Sequence, residues 1–436
     1  LIYLQILEVA HLPHRELSRE SSRGRGKEIK AGNSLDIDKE CEMTKQNSEL
    51  IKGFKDYIGV EAEKRAIIQR ILIDTFREFG FDPAETPVIE SEDFVKGDNT
   101  DDEAVSDIFK LKDRGKRKLA LRYEMTFSLK RIMKNQKLPY RRYAVGPVFR
   151  DEPVKGNRSR QFISCDVDVL GSTVKEEAEV FALIKTLLQK LGVEYILYFN
   201  NRKLLNEILE SLKIKKKYWE DVIREIDKLD KVSRSEVTEG LKKYKAERFL
   251  DEIIQPTGYF KKYKAYSEIL ELKKCLAMQG VVGIFTPFLA RGLSYYNGTV
   301  FEVKAKKIKE TIFGGGSYIF NNVQGVGFGT SIERLSAVCS LVSLVDKYLI
   351  VSLNEDKQSI ILARKLRSSG KSAVIYYGKP SKAMAYANSY GVQKVIFVGA
   401  QEVKKKSFKV KDMKTGKEKI LTLEKRTKKN IMIQKK

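Results

Sequence analysis

The sequence predicts an α+β protein in two folded parts: a strand-rich body broken by a long helical block, then a separate small α/β domain. Three observations predict it. Strand-type segments dominate residues 118–171 and return over 291–330. Between them, residues 175–280 carry mostly helical patterning. After residue 346, strand and helix patterns alternate in βαβαβ order, which implies a parallel or mixed sheet of its own. A chain of 436 residues has room for two or three domains and a sizeable core.

Residues 1–42 stand apart. An apolar patch from Leu1 to Ala10 runs into Ser21-Ser-Arg-Gly-Arg-Gly-Lys27, and the first methionine is Met43. The stretch has neither the basic start nor the small-residue cleavage site of a secretory signal, so a disordered or mis-set N-terminal extension is expected. Over 61–79, Ala66, Ile67, Ile71, Leu72, Phe76 and Phe79 recur at helical spacing, and Gly80 is a natural stop. A short strand is expected over Thr86–Glu90, with Pro87 near its start. Residues 143–171 read as a strand, a turn-rich loop with Pro153, Gly156 and Asn157, and a second strand. A basic run, Lys213–Lys217, lies in the helical block. In the last part, Tyr348–Ser352, Ser372–Tyr377 and Lys394–Val398 read as strands, and 357–369 and Ser381–Tyr390 as helices.

Composition removes several function classes. The only histidines, His11 and His14, lie in the N-terminal stretch. The body therefore has no Ser-His-Asp triad, no HExxH zinc site and no histidine general base. Cys41, Cys165, Cys275 and Cys339 form no CxxC pair, which argues against zinc and for free thiols in a reducing, cytoplasmic setting. No run approaches ~18 apolar residues, so no membrane span is expected. The balance of 83 basic against 58 acidic residues, a net charge of +25, favours a polyanionic partner. RNA, DNA and an anionic membrane surface all fit it, as does lysine-rich solubilisation.

Three strings carry chemistry. In Phe149-Arg150 through Arg158-Ser-Arg160-Gln-Phe162-Ile-Ser164-Cys-Asp166-Val-Asp168, strand alternation sorts the second limb. Ile163, Cys165, Val167 and Val169 share an apolar face; Phe162, Ser164, Asp166 and Asp168 share the other. Such a face beside three arginines is either a charged surface hairpin or a nucleotide site, where guanidinium forks hold phosphate and a ring stacks on a base. Gly325-Val-Gly327-Phe-Gly329-Thr-Ser-Ile-Glu333-Arg334 is a glycine-rich strand entering a helix with an arginine in its first turn, a place suited to anions. Ala290-Arg291-Gly-Leu-Ser294-Tyr295-Tyr296-Asn-Gly-Thr-Val-Phe-Glu302 taken alone is a strand with a tyrosine pair.

Together these strings resemble the histidyl branch of the class II aminoacyl-tRNA synthetases, over roughly residues 50–430. The first two are similar to class II motifs 2 and 3; the third is similar to the Arg-Gly-Leu-x-Tyr-Tyr signature of the histidyl enzymes. The resemblance implies an antiparallel sheet with helices as catalytic core over 43–340, with a helical insertion at about 200–280. It also implies a C-terminal α/β anticodon-binding domain over 346–436, where Val410–Gly416 looks like the final hairpin and the many lysines from Lys404 on fit RNA. Arg150 and Arg291 would be catalytic, and Arg150, Arg158, Phe162 and Arg334 would bind ATP. Histidine would contact Glu124, Thr126, Ser164, Asp168, Arg291, Tyr295, Tyr296 and Tyr318. Glu124 and Thr126 sit in Leu121-Arg-Tyr-Glu-Met-Thr126, and Tyr318 in Gly314-Gly-Gly-Ser-Tyr318, whose form resembles the archaeal type. The helix at 61–79 with Pro87 resembles motif 1, which implies a homodimer. The implied partners are ATP with Mg²⁺, L-histidine and tRNA(His). The chain departs from the family pattern at Ser164, where glutamine is usual, and at Ser294, where an acidic residue is usual. The alternative is a non-catalytic, regulatory paralogue; such proteins usually lose phosphate-binding arginines, all of which are present here.

Overall fold

Helical periodicity near the start of the body yields a helix over Gly59–Glu78, which buries Ile68, Leu72, Thr75 and Phe76 along one stripe. The stripe is turned slightly from the expected one, so that Ile68 rather than Ile67 faces the core. Gly80 takes a left-handed φ of 75° and ends the helix. The computed structural model describes residues 49–97, 105, 107–154, 158–229, 232–291, 295–306, 308–340 and 346–421. The expectations for residues 1–42, for Ser294 and for the last lysines lie outside them.

In chain order the strands are β1 (Asp82–Pro83), β2 (Ile89–Ser91), β3 (Lys110–Lys112), β4 (Lys118–Leu121), β5 (Tyr140–Phe149), β6 (Gln161–Leu170), β7 (Tyr195–Asn201), β8 (Ile284–Phe285), β9 (Tyr296–Ala305), β10 (Thr311–Phe320) and β11 (Val323–Ser331). The strand expected from Thr86 begins only at Ile89, because the Thr86 carbonyl accepts Arg122 Nη1 instead of a strand partner. β2, β4 and β3 form a small sheet. The large sheet runs β1-β5-β6-β11-β10-β9-β7-β8. Every pairing from β5 through to β7 is antiparallel, and only the short edge strands β1 and β8 pair in parallel. β7 corrects the reading of 175–280: a strand stands between the helices Val174–Leu191 and Arg202–Ser211.

One face of this sheet is closed. Cys165, Val167, Val169, Phe301, Phe313 and Phe328 join the main core with the helices Gly59–Glu78 and Val174–Leu191. Each fully buried aromatic such as Phe76, Phe181 or Phe301 stabilises by about 1.5–3 kcal/mol. Thr173 and Glu176 form a capping box that starts the second helix. The opposite face is left for other work. Helices from Arg202–Ser211 to Tyr266–Met278 make up the expected helical block.

The last part builds its own sheet from β12 (Lys347–Ser352), β13 (Ser372–Tyr377), β14 (Lys394–Val398), β15 (Lys409–Asp412) and β16 (Glu418–Ile420), in the order β13-β12-β14-β15-β16. The first three are parallel and the last two antiparallel, so the sheet is mixed. Ile350 packs on Leu362 and Leu366 of one helix, while Leu349 and Val351 pack with Ala383 and Ala387 of another, so strand alternation fills both faces. The expected hairpin at 410–416 is present; Asp412 Oδ1 accepts the amides of Lys414 and Thr415 in its turn. Lys347 Nζ meets Glu63 Oε2 at 2.8 Å, tying this part to the first helix.

Candidate active site

Antiparallel register sets Arg142 of β5 opposite Asp168 of β6, Ala144 opposite Asp166, Gly146 opposite Ser164 and Val148 opposite Phe162. Alternation turns all of these to the open face. β11 places Gly327 beside Asp168 and Gly329 beside Asp166. β10 continues with Gly316 and Gly314, and β9 sets Glu302 beyond Gly314. In the second of these rows Asp166 and Glu302 therefore stand on either side of a pair of glycines. The result is an open cleft lined by Phe162, Ser164, Asp166, Asp168 and the glycines. The missing side chain at Gly314 is needed, since a Cβ there would lie 2.6 Å from Arg291 Nη1.

One end of the cleft is cationic. Arg150 donates from Nε to the Tyr123 carbonyl at 3.1 Å and lies 5.4 Å from the ring centroid of Phe162. Arg291 Nη1 is 2.6 Å from Glu302 Oε1, and Thr311 Oγ1 donates to Glu302 Oε2 at 2.9 Å. Arg334 Nη1 donates to the Thr311 carbonyl at 2.8 Å, and its own amide is held by Ser331 Oγ. Burial, followed by the charges of Arg150, Arg158 and Arg291, pushes the Arg334 pKa below its ordinary value. Arg291 has a carboxylate partner, but Arg150 and Arg334 donate to main-chain carbonyls, and a polyphosphate would supply further anionic charge to this end.

The other end is anionic. Asp168 is 2% exposed. Tyr318 donates its hydroxyl to Asp168 Oδ1 at 2.5 Å, and Arg142 Nη2 is 2.7 Å from Oδ2. Burial outweighs both and raises Asp168 to about 6. Asp166 accepts the Ser164 hydroxyl at 2.5 Å and is raised by burial too. Half-buried Glu124 is pushed up to about 7, by burial first and then by Asp166, and receives the Tyr295 hydroxyl at 3.4 Å. The rings of Tyr295 and Tyr296 lie 4.7 Å apart and those of Tyr295 and Tyr318 5.9 Å apart, and all three line this end of the cleft. Such an end suits a small ligand carrying N–H donors and positive charge.

Every residue singled out from the sequence lines this cleft except Arg158. Arg158 pairs with Glu152 at 2.5 Å and lines an adjoining recess that shares Arg150, Phe162 and Arg334. Ser164 does line the cleft, but its hydroxyl is turned onto Asp166. Sequence reading did not assign Arg142, Asp166, Glu302 or Thr311. Alternation carried back from Arg150 along β5 reaches Arg142, and Asp166 already lay on the right face. Glu302 closes the third string, while Thr311 left no signal.

A mainly antiparallel sheet that carries arginines on a strand hairpin and at the helix after its last strand, with a separate mixed-sheet domain following, defines a class II aminoacyl-tRNA synthetase. The family model described as histidyl-tRNA synthetase matches residues 53–335, and that described as anticodon binding domain matches 347–429. The chain belongs to the histidyl-tRNA synthetase family. It is similar to histidine–tRNA ligase 1 of Bacillus cereus, 33% identical over 415 residues that cover 84% of this chain and 96% of that one. Histidine–tRNA ligase of Helicobacter pylori is 31% identical, covering 84% and 94%. Among solved structures, histidyl-tRNA synthetase from Nostoc sp. PCC 7120 shares the fold, with a TM-score of 0.75 at 21% identity, covering 86% of this chain and 97% of that one.

Proposed function

We propose that this chain is an active histidine–tRNA ligase that joins L-histidine to tRNA(His) at the expense of ATP. The observation that carries the reading is the division of one cleft into an arginine end and a carboxylate end, which suits a polyphosphate at one end and a small cationic ligand at the other. Histidine lies at the carboxylate end. Its α-ammonium meets Glu124 and Thr126, and its imidazole meets Asp168 between Tyr296 and Tyr318. ATP lies at the arginine end, with adenine on Phe162, the α-phosphate at Arg150 and Arg291, and the outer phosphates toward Arg158 and Arg334.

The histidine carboxylate attacks the α-phosphorus, the bond to pyrophosphate breaks, and histidyl-adenylate forms. The terminal ribose hydroxyl of the tRNA then attacks the activated carbonyl and AMP leaves. Arg150 and Arg291 stabilise the charge that develops on the phosphoryl oxygens, which needs no histidine base. Among the described residues there is no group of three metal-ligating side chains. Glu302 is engaged by Arg291 and Thr311. Mg²⁺, when bound with ATP, would neutralise charge on the phosphates beside Arg150, Arg158 and Arg334.

The finer parts of the reading are these. The catalytic domain spans 43–340 with its helical insertion, and residues 346–436 bind the anticodon. Two copies pair through the first helix, at whose start Ile58, just before it, and Val60 are exposed. The working compartment is the cytoplasm, which the free thiols of Cys165 and Cys275 support. The test is charging: with ATP and labelled histidine, tRNA(His) should become labelled and a tRNA for another amino acid should not. Equal labelling of both, or of neither, would overturn the reading.

A further inference from the structure

We infer that Arg142, which does not line the cleft, is a positioning residue for the amino-acid end: it holds Asp168 as an anion and ties it to the segment that carries Glu124 and Thr126. The inference rests on the function proposed above. Arg142 is among the largest side chains fully buried in the protein. Its Nη2 is 2.7 Å from Asp168 Oδ2 and donates to the Met125 carbonyl at 3.1 Å. Met125 stands between Glu124 and Thr126, so one guanidinium grips both halves of the pocket. Strand register brings this about, since Arg142 and Asp168 are direct partners on β5 and β6.

The pair is not a device for stability. Removing two charges from water costs about what their attraction returns, and apolar replacements of such pairs are often neutral or stabilising. Nor is the pair closed on itself. Neither Arg142 Nε nor Asp168 Oδ2 has a well-directed hydrogen bond, although the charges are in contact. Oδ1 is already taken by the Tyr318 hydroxyl. Each carboxylate oxygen keeps a second lone pair, so Asp168, which lines the cleft, can still accept a ligand N–H, and it accepts best while ionised. Burial works against that ionisation, and Arg142 is the group that opposes burial most. The other titratable groups facing Asp168 are Tyr318 on β10, Asp166 on β6, Glu124 across the cleft and Tyr140 on β5. None of these is a cation. β11 offers glycine at this row.

The experiment is histidine-dependent ATP–pyrophosphate exchange from pH 5.5 to 9, on the full chain and on Arg142→Lys, Arg142→Gln and Arg142→Met, with thermal melts of each. Substrate titration is common to all four proteins and cancels in the comparison. An opposite charge in contact lowers a carboxylate by about 1–3 units. In the neutral variants the acid limb of the histidine KM should therefore move up by at least about one pH unit. At pH 7 their histidine KM should rise about twofold for a one-unit move and about tenfold for two units, with the ATP KM within about twofold, and it should fall back toward the parent value at pH 9. Arg142→Lys should keep the parent limb. Recovery at high pH is not what a damaged scaffold gives. If Arg142→Met fails to fold, Arg142→Gln, which can still reach the Met125 carbonyl, decides. An unmoved limb, a KM raised equally at every pH, or histidine and ATP constants rising together would overturn the inference. A parent protein without histidine-dependent exchange would instead overturn the function on which it rests.

Discussion

Adding a single methyl group at Gly314 should cripple the chemistry while sparing the fold. A Cβ at this position would stand 2.6, 2.8 and 2.9 Å from Nη1, Nη2 and Cζ of Arg291. Ordinary contact needs about 3.5 Å or more, so the guanidinium must retreat by roughly 1 Å. The backbone does not resist the change, because Gly314 is not among the glycines of positive φ. Only the end of a flexible side chain must give way. A displacement of about 1 Å in a group aligned on the reacting atoms costs on the order of 100-fold in rate, about 2.7 kcal/mol. Gly314→Ala should therefore lower the maximal rate of histidine-dependent pyrophosphate exchange about 100-fold. The melting temperature should hold within about 3 °C, and the ATP KM should change less than the rate. An exchange rate within twofold of the parent would refute the placement of Arg291 at the reacting phosphate.

Other consequences follow from the same geometry. Arg291→Ala should cost on the order of 3 kcal/mol in the exchange rate, the size typical of losing one oxyanion-stabilising group, with a smaller effect on ATP affinity. Asp168→Asn should raise the histidine KM about tenfold, or about 1.4 kcal/mol, and leave the ATP KM nearly unmoved in steady-state assays. Glu124 titrates near 7 in the fold and from 4.5 as a free side chain, so the folded form binds more protons in between. Its contribution to stability is then present below about 4.5 and lost as pH rises through about 7, whereas the proposed contact with the histidine ammonium needs the ionised form. Glu124→Gln should flatten the fall in melting temperature over that window; an unchanged slope would show that Glu124 is not buried in the way described. Charging of tRNA should weaken steeply with salt while pyrophosphate exchange does so less, because RNA binding releases counterions.

How far the sequence carried this account depends on the range of the interaction concerned. Periodicity within one segment was legible: the first helix, both limbs of the 143–171 hairpin and the βαβαβ order near the end all stand where patterning put them. The strand Tyr195–Asn201 was not, because an apolar run between two helices has no local mark of a partner strand a hundred residues on, here β9. Local capture also shifted an element, as when Arg122 took the Thr86 carbonyl and delayed β2. In the site, motif strings placed side chains in one cleft but could not say which of them are already engaged. Ser164 turns onto Asp166, and Asp168 is shared between Tyr318 and Arg142. Arg142 itself was within reach of the alternation argument, which had been applied to the second limb of the hairpin and not to the first.

The central claim, an active enzyme selective for histidine, is tested most directly by ATP–pyrophosphate exchange run with each of the twenty amino acids in turn. The account predicts exchange with L-histidine and at most background with the other nineteen, since the proposed pocket pairs an imidazole N–H with Asp168. Background with all twenty would make the chain a non-catalytic relative, and faster exchange with a different amino acid would contradict the pocket assignment.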